Sequence, residues 1–136
     1  MATYEELEQK MLRLASPGIR PGLERVSRLL DLLDNPEGSF PSVHIVGTNG
    51  KGSVSAFVSS ILRESGYRVA TYTSPHLESP SERLVINGSP LSVARWDDAI
   101  RRVAEVLLAD SVLQNDPPSF FEVVTAVSFL LIAEDN

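Results

Sequence analysis

The chain has 136 residues, the size of one ordinary domain, and its 43% hydrophobic and 22% charged residues are those of a globular protein with a packed core. Its formal net charge of −6, with no run of Lys or Arg, opposes nucleic acid and acidic membrane surfaces, so any anion must be held by a local site. No cysteine is present, which excludes disulfides, thiolate metal sites and thiol nucleophiles, and two histidines are too few for a metal centre built of several His ligands.

The polar, acidic start MATYEELEQK is not a signal peptide. Thr3 followed by Glu6 is a capping-box pattern and opens a helix expected over Tyr4 to Leu14, stopped by Ser16-Pro17-Gly18. A second helix is expected over Pro21 to Leu33, with Val26, Leu29, Leu30 and Leu33 on one face. Asn35-Pro36-Glu37-Gly38 is a turn. Val43 to Val46 reads as a short buried strand ending at Gly47. Val54, Phe57, Val58, Ile61 and Leu62 then recur at helical spacing, and Gly66 is the expected left-handed cap. Arg68 to Thr73 reads as a second strand, so residues 41–73 are expected to form a right-handed βαβ unit with parallel strands.

Ser74 to Arg83 is a loop rich in Ser and Pro. Leu84-Val85-Ile86 meets Asn87-Gly88, a hairpin signal, with Pro90-Leu91 as the expected partner. A helix is expected over Val93 to Ala109, with Trp96, Ile100, Val103, Ala104, Leu107 and Leu108 on its apolar face, and Asp116-Pro117-Pro118 breaks the chain. The last helix, Phe120 to Ala133, carries Glu122 as its only charge. It is too short and too interrupted to span a bilayer, which takes about 20 apolar residues, and a cytoplasmic protein is expected.

The segment from Gly47 to Ser53 (Gly-Thr-Asn-Gly-Lys-Gly-Ser) has the makings of an anion site: an apolar run, a glycine-rich turn and an immediate helix start. Free N–H groups and the helix dipole at such a start favour negative charge. Gly47, Gly50 and Gly52 permit close approach, Lys51 supplies charge for terminal phosphates, and the Ser53 hydroxyl suits Mg²⁺. The strict pattern G-x-x-x-x-G-K-[ST] fails, because Ile45 replaces its first Gly and Gly52 its final Ser or Thr. Glu122 poses a separate problem. A carboxylate on an apolar helix must be paired, capped or metal-bound. Ser119 three residues before it forms a second capping-box pattern, and that geometry is not easily kept while the carboxylate binds a metal.

Val46-Gly47-Thr48-Asn49-Gly50-Lys51-Gly52-Ser53 resembles the ATP loop of the folylpolyglutamate and dihydrofolate synthases of the Mur ligase superfamily, with Gly52 pointing to the folate branch. Tyr72-Thr73-Ser74-Pro75-His76-Leu77, Glu82-Arg83 with Asn87-Gly88, and Phe121-Glu122 are similar to further family motifs in the same order. The resemblance implies an α/β fold, a truncated part of a three-layer central domain with parallel strands. It divides the chain into leading helices (1–40), strand, phosphate loop, helix and strand (41–73), a substrate and metal loop with hairpin (74–91) and two helices (92–136). It implies ATP bound by residues 47–53, Mg²⁺ held by Ser53, Ser74 and Glu122, and substrate contacts from His76 and Arg83. The implied reaction joins L-glutamate to a folate or dihydropteroate carboxylate. Because the family enzymes are about three times as long, the chain is expected to be an amino-terminal fragment, prone to self-association through apolar surface and inactive alone. A cell-wall Mur ligase and a nucleotide-binding module without catalysis are the competing expectations.

Overall fold

The computed structural model describes residues 2–74 and 83–135. The elements run, in chain order, α1 (Tyr4–Leu14), α2 (Glu24–Leu32), a 3₁₀ turn (Pro36–Ser39), α3 (Lys51–Glu64), β1 (Ala70–Tyr72), β2 (Leu84–Ile86), β3 (Ser89–Pro90), α4 (Val93–Ala109), α5 (Ser111–Asn115) and α6 (Phe120–Glu134). They fall into two units, one of Met1–Phe40 with Ser92–Asn136 and the other of Pro41–Leu91.

The first unit is helical and holds a dense core. Leu7 and Met11 lie one turn apart on α1, and Trp96, Ile100, Val103 and Leu107 form one stripe of α4; all are buried. Both pack with α6, which is apolar on nearly every side. Val123, Val124, Val127 and Leu131 of α6 are fully buried, as is Leu29 of α2. The 3₁₀ turn lies against α6, where Phe40 meets Phe129 edge to face at 6.1 Å between ring centroids. Both expected capping boxes form, Thr3 with Glu6 and Ser119 with Glu122. α2 begins three residues later than the sequence suggests. Gly22 has φ 105°, a left-handed conformation that a helix cannot continue through. The short α5, capped by Asp110, has no counterpart in the periodic pattern because five residues are too few to show one.

The second unit is a helix and a three-stranded sheet of order β1-β2-β3, antiparallel throughout. The Asn87-Gly88 hairpin forms as expected, with φ 49° and 77° at its two turn residues. Asn87 also reaches beyond its turn. Its N–H donates to Val69 C=O and its side-chain oxygen accepts from Val69 N–H, both at 2.7 Å. α3 ends as the sequence suggests. Gly66 has φ 92°, its N–H donates to Arg63 C=O, and Tyr67 N–H donates to Leu62 C=O, each at 3.0 Å.

The parallel βαβ expectation is not met among the described residues. Val43 to Val46 belongs to no described strand, with Val43 69% and Val46 75% exposed, and β1 pairs with β2 in antiparallel register instead. An apolar run becomes a buried parallel strand only when neighbours supply hydrogen bonds on its edges and helices cover its faces. Neither acts on residues 43–46 here. The coarse expectation of an α/β fold holds, whereas the parallel three-layer order does not appear among the described residues.

Candidate functional site

Residues 47–53 form an open helix start. Gly47 (φ 151°) and Gly50 (φ 78°) adopt backbone conformations that favour glycine. Gly50 is the left-handed N-cap of α3, and the first bond into the helix is Val54 N–H to Gly50 C=O at 2.9 Å. No side chain caps α3 and no acidic residue stands in its first turn. Every other helix here has one or the other. The amides at the start of α3 are therefore left to an outside acceptor. Lys51 adds a positive charge where the helix dipole is already positive, an unfavourable pairing unless an anion joins them. Gly52 differs from the other two glycines. Its φ is ordinary and a Cβ there would meet nothing within 4 Å. Neither strain nor crowding among the described residues requires a glycine at 52.

Thr48, Asn49, Lys51 and Ser53 are all exposed. Ser74 is exposed two residues beyond β1, and Thr73 N–H donates to Arg83 C=O at 2.7 Å, joining the chain before and after residues 75–82. Arg83 is buried, at 8% exposure. His76 lies outside the described residues. No group of three or more His, Asp or Glu side chains that could hold a metal occurs among the described residues.

Glu122 belongs to the helical unit. Its Oε1 accepts from Ser119 N–H at 2.9 Å, closing the capping box, and from Arg25 Nε at 3.1 Å. Both side chains of this pair are buried, at 9% and 8% exposure. Oε2 is buried and makes no hydrogen bond among the described residues. The cap therefore uses one oxygen and leaves the other, so capping and metal binding do not exclude each other as the sequence suggested. A buried carboxylate oxygen without a partner is costly, which fits a cation ligand; among the described residues Glu37 Oε2 shares this state, but only Glu122 is also held by a guanidinium at its other oxygen.

The pairing of Arg25 with Glu122 was not anticipated from the sequence, where Arg25 stands in a Pro21 to Arg25 stretch similar to the family's start. Arg25 stands 97 residues from Glu122, and the only signal for the pairing was that a buried carboxylate needs a counter-charge. Its Nη2 donates to the carbonyls of Arg20 (2.9 Å) and Pro21 (3.1 Å), and Nη1 lies 3.7 Å from Asp116 Oδ2. The hydrogen bond to Glu122 raises the Arg25 pKa above the ordinary arginine value, against the opposing effect of burial. Arg20 also pairs with Asp116, and Ser16 hydrogen-bonds the carbonyls of Pro117 and Pro118. The stretch before α2 and the stretch before α6 are thereby stitched together.

No family model matches the chain. A curated relative, the dihydrofolate synthase/folylpolyglutamate synthase of Bacillus subtilis (strain 168), is 39% identical over 117 residues, covering 86% of this chain and 27% of that protein. Among solved structures, folylpolyglutamate synthase from Thermotoga maritima superposes with a TM-score of 0.86 at 41% identity, covering 98% of this chain and 31% of that one. Mycobacterium tuberculosis folylpolyglutamate synthase complexed with ADP gives 0.84 at 36% identity, covering 97% and 30%. The chain thus spans about a third or less of the length of the proteins it matches.

Proposed function

Because the chain belongs to the folylpolyglutamate synthase and dihydrofolate synthase family, we propose that it provides the phosphate-binding end of an ATP-dependent ligase of folate metabolism. The observation that carries this reading is the uncapped, acid-free start of α3 behind Gly47 and Gly50, with Lys51 at its first position. In the proposed reaction, a carboxylate oxygen of a folate or dihydropteroate attacks the γ-phosphorus of ATP, giving an acyl phosphate and ADP. The L-glutamate amine then attacks the acyl carbon, the amide forms and inorganic phosphate leaves. The amides of residues 50–53 and the Lys51 ammonium stabilise charge on the transferring phosphoryl group. Ser53, Ser74 and Glu122 would hold Mg²⁺, which supplies positive charge to the phosphates when bound. The vacant Oε2 of Glu122 supports its part in that set. His76 and Arg83 are assigned to the substrate side. We place this activity in a cytoplasmic protein of the relatives' length, in which residues 43–46 gain strand neighbours and the parallel three-layer order of a Mur ligase domain.

Titration calorimetry of Mg-ATP against the chain tests the phosphate site. Lys51→Ala is expected to weaken binding at least tenfold, about 1.4 kcal/mol, with unchanged helical circular dichroism. Equal heats from both proteins would remove Lys51 from the site. In a protein of full family length, phosphate release should require both L-glutamate and a pteroate compound. Release driven by a cell-wall precursor instead would replace the folate reading.

A further inference from the structure

Glu122 has one oxygen occupied twice and the other not at all, and the reason lies in how Arg25 is held. A guanidinium beside a carboxylate ordinarily forms a two-pronged fork that consumes both oxygens. The prong next to Nε is Nη2, and in Arg25 that nitrogen is already committed to the carbonyls of Arg20 and Pro21. Only Nε reaches the carboxylate, and it shares Oε1 with the Ser119 amide. The carbonyls belong to the turn that Gly22, at φ 105°, sends into α2. The turn fixes the guanidinium, the guanidinium and the cap fix Oε1, and Oε2 is left over.

We propose that Arg25 is a positioning residue for a divalent cation at Glu122: by binding Oε1 alone it locks the carboxylate and reserves Oε2 for the ion. This rests on the assignment of Glu122 as a metal ligand above, and adds the group that aims it. Arg25 touches neither the ion nor the nucleotide in this scheme. Its positive charge by itself would repel a cation, so what it contributes is geometry. Lysine is therefore the informative substitute. It retains the charge, but one ammonium cannot reproduce the planar set of bonds to two carbonyls and Oε1.

The test is a titration of the chain with Mn²⁺ alone, following paramagnetic broadening of the Ser119 to Val123 amide signals. Wild type should broaden there at low Mn²⁺, and Glu122→Gln should not. In Arg25→Lys the Mn²⁺ concentration for half-broadening should rise five- to tenfold. Asp116→Asn, which loosens the same guanidinium from a half-exposed position, should raise it about twofold and serves if Arg25→Lys does not fold. An unchanged half-point in a folded Arg25→Lys, or in Asp116→Asn where the lysine variant unfolds, overturns the positioning role while leaving Glu122 as a ligand. Broadening in Glu122→Gln equal to wild type, or none in wild type, overturns the metal assignment and the positioning role with it.

Discussion

α6 and α3 are nearly equal in length, 15 and 14 residues, and are built on opposite terms. α6 is closed at its start by Ser119 and Glu122 and is buried along most of its length. α3 starts on a left-handed glycine with no cap, and none of its residues is buried. Its apolar face is present in sequence, yet Val54 is 46%, Phe57 69% and Ile61 65% exposed. A helix in a core satisfies its own terminus because water and ligands are shut out. One that must grip an anion leaves its terminus unsatisfied and draws little stability from it.

The largest expected effect tests the packing half of that contrast. Leu131→Ala, at a fully buried site, should cost about 2–5 kcal/mol. Phe57→Ala, although it removes a larger side chain, should stay within about 0.5 kcal/mol of wild type. Urea unfolding followed by fluorescence of the single tryptophan, Trp96, measures the first directly, since that residue lies in the core of the helical unit. Similar losses in far-ultraviolet dichroism for both variants would break the comparison.

A smaller effect separates the two helix starts. Ser119→Ala should lower stability by about 1 kcal/mol through loss of the cap. Ser53→Ala caps nothing, so it should leave the unfolding midpoint in place and weaken only Mg-ATP binding. A midpoint shift for Ser53→Ala as large as that for Ser119→Ala would remove the functional meaning of the open terminus.

The smallest effect is electrostatic and confined to the helical unit. Asp110 accepts two hydrogen bonds from Arg28, at 2.8 and 2.7 Å, and one from Leu113 N–H at 3.0 Å. Chiefly through the Arg28 hydrogen bond, and then the Leu113 amide, its pKa falls below the ordinary 3.8. A depressed carboxylate pKa stabilises the fold fully above the unfolded value and loses that contribution as pH falls through the folded one. The Trp96 transition should thus weaken in acid below about pH 4, and Asp110→Asn should flatten part of that slope. An unchanged slope would assign acid sensitivity elsewhere.

What could be read from the sequence was what is local. Thr3 with Glu6, Ser119 with Glu122, Asn87-Gly88 and Gly66 each act within a few residues of themselves, and each forms as expected. Most of the α4 stripe was readable for the same reason, although Leu108, expected on it, is 67% exposed. What depends on a distant partner was not. Val43 to Val46 has the composition of a strand but pairs with no neighbour among the described residues, and the antiparallel partner of β1 lies beyond residues 75–82 in sequence. Arg25 and Glu122 meet across 97 residues. Of the candidate site, the loop at 47–53 could be placed on a helix start from sequence, whereas the division of labour between the two oxygens of Glu122 could not.

Asn87 has a consequence for where Ser74 stands. With both its main-chain N–H and its side-chain oxygen on Val69, it acts as a stop that prevents β1 from sliding along β2. In a sheet, sliding by one residue exchanges the two faces of a strand, so Thr71 and its neighbours would all reverse direction. Ser74 lies five residues along the chain from that stop. A short, half-exposed strand would otherwise be a poor ruler. Pinned at one end by a turn residue, it becomes a fixed-length spacer between Val69 and Ser74.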